Sequence, residues 1–241
     1  MNPLITLFLA PVIAVQGLYV RQTVPILPEP PGPRAGVSGT GRRVRLLILG
    51  DSAAAGVGAA TQAEALSGQL VTQLAQDRQV DWRLIARSGS TTGDLLAHLR
   101  KRPLEAVWDV AVLSLGVNDA IRRCSPTQFA AQQRELIALL QETAGVRLVL
   151  LSGLPPVHRF PALPEPLRWY LGTAATQLDR TLAEVAAGET SCAYVGLRAI
   201  AELDPAAMAS DGFHPGPPVY AVWAAAMADR IRDMPAEGPM R

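Results

Sequence analysis

A chain of 241 residues with 49% apolar and 18% charged side chains can bury a proper core, and it is read as one globular domain with an N-terminal appendage. Its formal charge of +1 offers no basic excess for neutralising phosphates, so no nucleic-acid partner is expected, and Arg42-Arg43 and Arg122-Arg123 are read as isolated solvated pairs. Two cysteines, Cys124 and Cys192, and three histidines argue against a disulfide framework and against a Cys/His metal site.

From Pro3 to Val20 the chain carries no charge. As a helix this run would be about 27 Å long, marginal against a hydrocarbon core of about 30 Å, and Pro11 sits in its middle. Residues 1–22 are therefore read either as a membrane anchor or as an apolar helix packed on the domain. A cleavable signal peptide fits poorly, because no Lys or Arg precedes the run and no small-x-small site follows it. The first positive charges, Arg21 and Arg34, come after the run, so insertion would leave the N-terminus outside and the domain facing the cytoplasm.

Residues 23–43 hold Pro25, Pro28, Pro30, Pro31, Pro33, Gly36, Gly39 and Gly41, too stiff and donor-poor for a helix or a central strand. They are read as a linker. A domain over residues 44–232 should then assemble without anything before about Arg42, leaving residues 233–241 as a tail. The glycines from Gly36 to Gly41 precede a strand and lack a following Gly-Lys-Ser/Thr, which rules out a nucleotide loop.

Beyond this point strand and helix patterns alternate. Strands are expected over Val44–Leu49, Val80–Ala86, Val110–Leu115, Val146–Ser152 and Ala193–Val195. Helices are expected over Gln62–Gln76, Thr92–Lys101, Thr127–Glu142, Leu167–Ala187 and Val219–Arg232, the third opened by a capping box at Ser125-Pro126-Thr127-Gln128. Such a series predicts an α/β fold with a five-stranded parallel sheet covered by helices on both faces. Cys124 and Cys192 then fall near opposite rims of the sheet, and both thiols are expected to be free.

The run Leu46-Leu47-Ile48-Leu49 stops at Gly50-Asp51-Ser52, which puts Ser52 at the carboxyl end of a buried strand, where open α/β sheets bind ligands. Ser52 is thus a candidate nucleophile or, more simply, a helix N-cap. Of the three histidines His214 is the best candidate base, since His98 lies mid-helix and His158 in a loop. Asp211, three residues before His214 with Gly212 between, can fold back onto the imidazole and leave Nε2 for Ser52. Asp51 and Asp119 are read as structural acids.

Gly50-Asp51-Ser52, Ser88-Gly89-Ser90-Thr91, Gly116-Val117-Asn118-Asp119 and Asp211-Gly212-Phe213-His214, in this order, resemble the four signature blocks of the SGNH (GDSL-type) hydrolases, a family of serine esterases and lipases. The resemblance spans roughly Val44 to Ile231. It implies a flavodoxin-like three-layer sandwich, a triad of Ser52, Asp211 and His214, and an oxyanion hole from Ser52, Gly89 and Asn118. The implied activity is hydrolysis of small carboxylic esters through an acyl-enzyme, with no metal and no organic cofactor. Acyl transfer to a sugar or alcohol acceptor would use the same residues, and a silent ligand-binding module of the same fold is the alternative from another class. Many relatives carry an asparagine shortly before the second-block glycine, where this chain reads Ala86-Arg87-Ser88-Gly89, so a loop-stabilising contact is replaced or missing. Phe160, Trp169 and Tyr170, on the segment leaving the fourth strand, are candidate substrate-binding residues. Trp169 and Tyr170 read equally well as helix core, and Ala120–Ser125 is the alternative location for a pocket.

Overall fold

In strand β2 (Arg42–Gly50) Leu46 and Ile48 pack on one side of the sheet, Leu47 and Leu49 on the other, and all four are fully buried. This two-residue alternation, apolar on both faces, is what a strand covered on both sides demands. Each buried leucine or isoleucine contributes about 1.5–3 kcal/mol over its exposed state, so a charge at any of these positions would break the centre of the sheet. The computed structural model describes residues 3–197, 200 and 205–234.

The five expected parallel strands are present: β2, β3 (Arg78–Ala86), β4 (Val110–Ser114), β5 (Leu148–Ser152) and β6 (Cys192–Val195). A sixth, β1 (Ala35–Ser38), joins antiparallel to β3, giving the order β1-β3-β2-β4-β5-β6. One face is covered by α4 (Thr92–Lys101), α6 (Pro126–Ala144) and α7 (Leu167–Ala187), through residues such as Leu95, Phe129 and Leu178. The other is covered by α3 (Leu66–Leu74) and α8 (Pro217–Arg232), through Leu70, Tyr220 and Met227. Short helices α2 (Ser52–Ala55) and α5 (Val117–Ile121) follow β2 and β4 at once. Because β2 is flanked by β3 on one side and β4 on the other, the chain reverses direction across the sheet at the β2/β4 boundary, and the crevice beyond their carboxyl ends is where such folds bind ligands.

Two expectations for the amino-terminal part need correction. Residues 23–43 are not a free linker: β1 lies within them, Pro30 is buried, and Gln62 donates to the Pro30 carbonyl from its side chain and to the Pro31 carbonyl from its backbone. The prolines end at Pro33, so Ala35–Ser38 keeps every N–H and can pair at the sheet edge. The sheet accordingly includes residues before Arg42. The apolar run forms helix α1 (Pro3–Thr23), with Pro11 inside it. It lies against α7, where the Gln16 amide donates to the Glu165 carbonyl (2.5 Å) and accepts from the Leu167 N–H (2.9 Å). Of the expected tail, residues 235–241 lie outside the described residues. Ser125 caps α6 by accepting from the Gln128 N–H, while a full reciprocal capping box opens α4 at Thr91 and Asp94. Both cysteine thiols are free.

Candidate active site

Strand β2 ends on Gly50, where a Cβ would come within 2.3 Å of the Ser114 carbonyl oxygen, so only glycine lets the chain pass and turn into α2. Asp51 caps that helix by accepting from the Ala53 N–H (3.0 Å), and Ser52 is its first residue, not its cap. Far along the chain, Met208 and Pro215 form an antiparallel bridge, and the Ala209 N–H donates to the His214 carbonyl; the turn so closed contains Gly212 at φ +62°. That turn brings Asp211 and His214 over Ser52. The Ser52 Oγ lies 2.9 Å from His214 Nε2, and His214 Nδ1 lies 2.5 Å from Asp211 Oδ2. The other Asp211 oxygen accepts from the backbone N–H groups of Phe213 and His214, both at 2.9 Å. Burial of this side chain raises its pKa, but the bonds from the His214 ring and from the two N–H groups outweigh it and hold the carboxyl below its usual range. A carboxylate so held fixes the imidazole with its proton on Nδ1 and leaves Nε2 free to accept from the serine.

Gly89 has φ +79°, a Cβ built on it would meet nothing within 4 Å, and the residue lines the cavity that contains Ser52. Asn118, at the carboxyl end of β4, faces the same place, but its amide donates to the Ser90 carbonyl (3.0 Å) and to Asp51 Oδ2 (3.2 Å). Both amide hydrogens are engaged, so the side chain bridges the β2 and β4 loops. The pKa of Asp51 is raised to about 6, chiefly by burial and in part by the neighbouring charge of Asp119. Asp119 accepts from the N–H and hydroxyl of Thr92 and so ties the third block to α4.

The second block is braced from an unexpected direction. Glu29, in the proline-rich stretch, accepts from the backbone N–H of Ser88 (2.9 Å) and from its hydroxyl (2.8 Å). Its other oxygen pairs with Arg34 (2.8 Å), which also donates to the Ala86 carbonyl. Sequence reasoning missed Glu29; the only local signal was an acid among prolines, which by itself says nothing about where the stretch runs.

Two cavities meet at Ser52. The inner one, about 90 Å³, is lined by Phe160, Leu154, Leu197 and Trp223, and Phe160 packs edge-on against Phe213 at 5.1 Å between ring centroids. The outer one, about 860 Å³, is lined by Tyr170 and by Ile121 and Arg122 from the alternative stretch Ala120–Ser125. Of the three aromatic candidates, Phe160 and Tyr170 thus reach the site from opposite sides. Trp169 lines neither cavity; it is 37% exposed on the outside of α7. His98 and His158 are exposed and belong to neither cavity. Among the described residues no group of three or more His, Cys, Asp or Glu side chains is arranged to hold a metal ion.

The model of the GDSL-like lipase/acylhydrolase family matches residues 48–222, a stretch that takes in all four blocks. The chain belongs to this family. The GDSL-like esterase Rv1075c of Mycobacterium tuberculosis is 29% identical over 208 residues, which cover 79% of this chain and 62% of that protein, so the chain spans about three fifths of its curated relative's length. Among solved structures, the acetylxylan esterase Axe2 from Geobacillus stearothermophilus is similar with a TM-score of 0.59 and 20% identity, covering 79% of this chain and 95% of that one. A lipase/acylhydrolase from Enterococcus faecalis is similar with a TM-score of 0.60 and 21% identity, covering 81% and 100%. At these identities the two structures share the fold: a largely parallel six-stranded sheet between helices.

Proposed function

We propose that this chain is a serine esterase that hydrolyses carboxylic esters through an acyl-enzyme. The reading rests on one observation, the unbroken line from Ser52 Oγ through His214 to the buried Asp211 carboxylate. Ser52 Oγ attacks the ester carbonyl carbon while its proton passes to His214 Nε2. The oxyanion that forms faces the N–H groups of Ser52 and Gly89; Asn118 joins them when its whole amide group turns from Asp51 towards the oxygen. Collapse breaks the C–O bond, and the alcohol leaves with the proton from His214. A water then gives its proton to His214, attacks the acyl carbon, and releases the acid and free Ser52. A silent module of the same fold would not need all three triad side chains within hydrogen-bond reach. The test is labelling with a serine-directed phosphonate together with turnover of p-nitrophenyl esters. One phosphonate per chain on Ser52 is expected, with a loss of about 10⁶-fold in kcat for Ser52→Ala and His214→Ala; labelling elsewhere, or full activity in His214→Ala, sinks the reading.

We further propose that α1 seats the protein on a lipid surface without spanning it. The helix is long and apolar enough to cross a membrane by length and composition. Its inner side is tied to α7 through Gln16, while Leu7 (73% exposed), Phe8 (84%), Leu18 and Tyr19 face outward. An uncharged face of that extent is costly in water and suits the acyl–headgroup boundary. Full-length protein should float with phospholipid vesicles, and Phe8→Glu with Leu18→Glu should stay at the bottom of the gradient; equal partition of the two would refute the seat.

A further inference from the structure

The inner stripe of α1 meets the core only through Ile13 and Val20, and along the rest of its length it borders open space. Ala10, Ile13, Ala14, Gly17 and Val20 recur at helical spacing and form one wall of the outer cavity, whose floor carries Ser52 and His214. The opposite wall comes from α7 and the segment before it, with Leu163, Leu167 and Leu171. A helix that merely packs on a domain fills the contact with large side chains. Here three of the lining positions, Ala10, Ala14 and Gly17, are alanines and a glycine, and a Cβ added at Gly17 would meet nothing within 4 Å. Glycine in a helix interior is unfavourable by roughly 1 kcal/mol against alanine, so the helix tolerates a poor residue at the point where the space lies. The gap is held open by Gln16, which fastens α1 to the start of α7.

The two cavities also differ in size. The inner one, at about 90 Å³, offers roughly a tenth of the space of the outer one and suits the smaller group. The outer one is about 860 Å³, and the α1 residues that line it, from Thr6 to Arg21 with the one charge at its end, cover roughly 22 Å of helix rise at 1.5 Å per residue. We propose that α1 is part of the substrate site: it walls an apolar groove that takes the long aliphatic arm of an ester whose other arm is short and enters the inner cavity. This rests on the esterase reading above. It assigns a binding role to a segment that its sequence marks only as apolar.

The test uses two ester series on the full-length protein, methyl esters of rising acyl length and alkyl acetates of rising alcohol length. In one series kcat/KM should climb with chain length, by up to roughly fourfold per methylene that becomes buried. Gly17→Leu places four carbon atoms in the groove. It should cut the ratio of kcat/KM for long over short esters at least tenfold without lowering Tm, since leucine is the better helix former; Ala14→Leu should act in the same direction. Val15→Leu, on the outer side of α1, should leave the ratio as it is. A chain-length profile untouched by Gly17→Leu and Ala14→Leu would overturn the proposal while leaving the esterase intact. Binding of a long-chain 1-alkanol to Ser52→Ala, followed by calorimetry, reads the groove without chemistry: it should weaken when Gly17→Leu is added, and equal binding would overturn the proposal whatever the catalytic reading becomes.

Discussion

Removing the Glu29 carboxylate should slow catalysis from outside the four blocks. Glu29 accepts two hydrogen bonds from Ser88, and the peptide group that joins Ser88 to Gly89 carries the N–H proposed to face the oxyanion. Burial raises the Glu29 pKa, but the two Ser88 bonds and the Arg34 charge more than offset this, so the group is a carboxylate at neutral pH. Bonds to a charged acceptor contribute about 1.5–3 kcal/mol when fully buried. With Glu29 and Arg34 each about a third exposed, the pair of bonds is placed at about 1–3 kcal/mol in all. Glu29→Gln keeps one acceptor oxygen and loses the charge; Glu29→Ala loses both. Deleting an oxyanion donor outright costs about 10²–10³ in kcat, and a loosened donor should lose part of that, roughly tenfold for Glu29→Gln and more for Glu29→Ala. The assay is steady-state hydrolysis of a short p-nitrophenyl ester with Tm measured alongside. The expected signature is a fall in kcat with little change in KM, because the contact matters most as charge builds on the oxygen. If Glu29→Ala lowers Tm but leaves kcat alone, the strap braces the fold and not the oxyanion loop.

Two further outcomes follow from the charges around Ser52. Asp211→Asn would offer an amide N–H to His214 Nδ1 and turn the ring to the wrong tautomer, so kcat should drop about 10⁴-fold with folding intact; near-normal turnover would remove Asp211 from the triad. Asp51 should make the protein less stable as pH rises: folding lifts its pKa from the ordinary 3.8 to about 6, so its favourable contribution is complete below about pH 4 and is lost as pH passes through about 6. At about 1.4 kcal/mol for each tenfold change in proton affinity, the loss comes to about 3 kcal/mol, and Asp51→Asn should flatten that part of the stability–pH curve; an unchanged slope between about pH 4 and 6.5 would mean that another group carries it.

The sheet and the hydrogen-bonded line of Ser52, His214 and Asp211 are legible in the sequence for the same physical reason: each is written in short-range pattern. Buried parallel strands must be apolar on both faces, so Leu46–Leu49 and Val110–Leu113 stand out as runs, and the helices over Thr92–Lys101 and Leu167–Ala187 have the expected bounds. Asp211 and His214 sit in one turn, and Ser52 follows a strand, so their chemistry makes them candidates and the four-block resemblance groups the three without any distance. Asn118 also bridges Ser90 and Asp51, which a four-residue block cannot reveal. For the aromatics the sequence offers only spacing, and spacing does not say which side of α7 meets the cavity; Tyr170 faces it and Trp169, one residue earlier, does not.

What the sequence hides is where a chain without periodicity runs once it leaves a helix. Residues 24–34 carry no strand or helix pattern, and their conformation is set by contacts with residues far along the chain: Gln62 to Pro30 and Pro31, Ser88 to Glu29, Ala86 to Arg34. Each contact is separated by thirty residues or more, and no local rule could propose it. Together they fix where α1 begins its path across the site, for the helix and this strap are one continuous piece of chain. A deletion through Pro33 would therefore remove a groove wall, the Ser88 brace and a buried proline in one step, and both Tm and kcat should fall. Activity undiminished after that deletion would uncouple the amino-terminal segment from the triad, and would return residues 1–33 to the role of a tether.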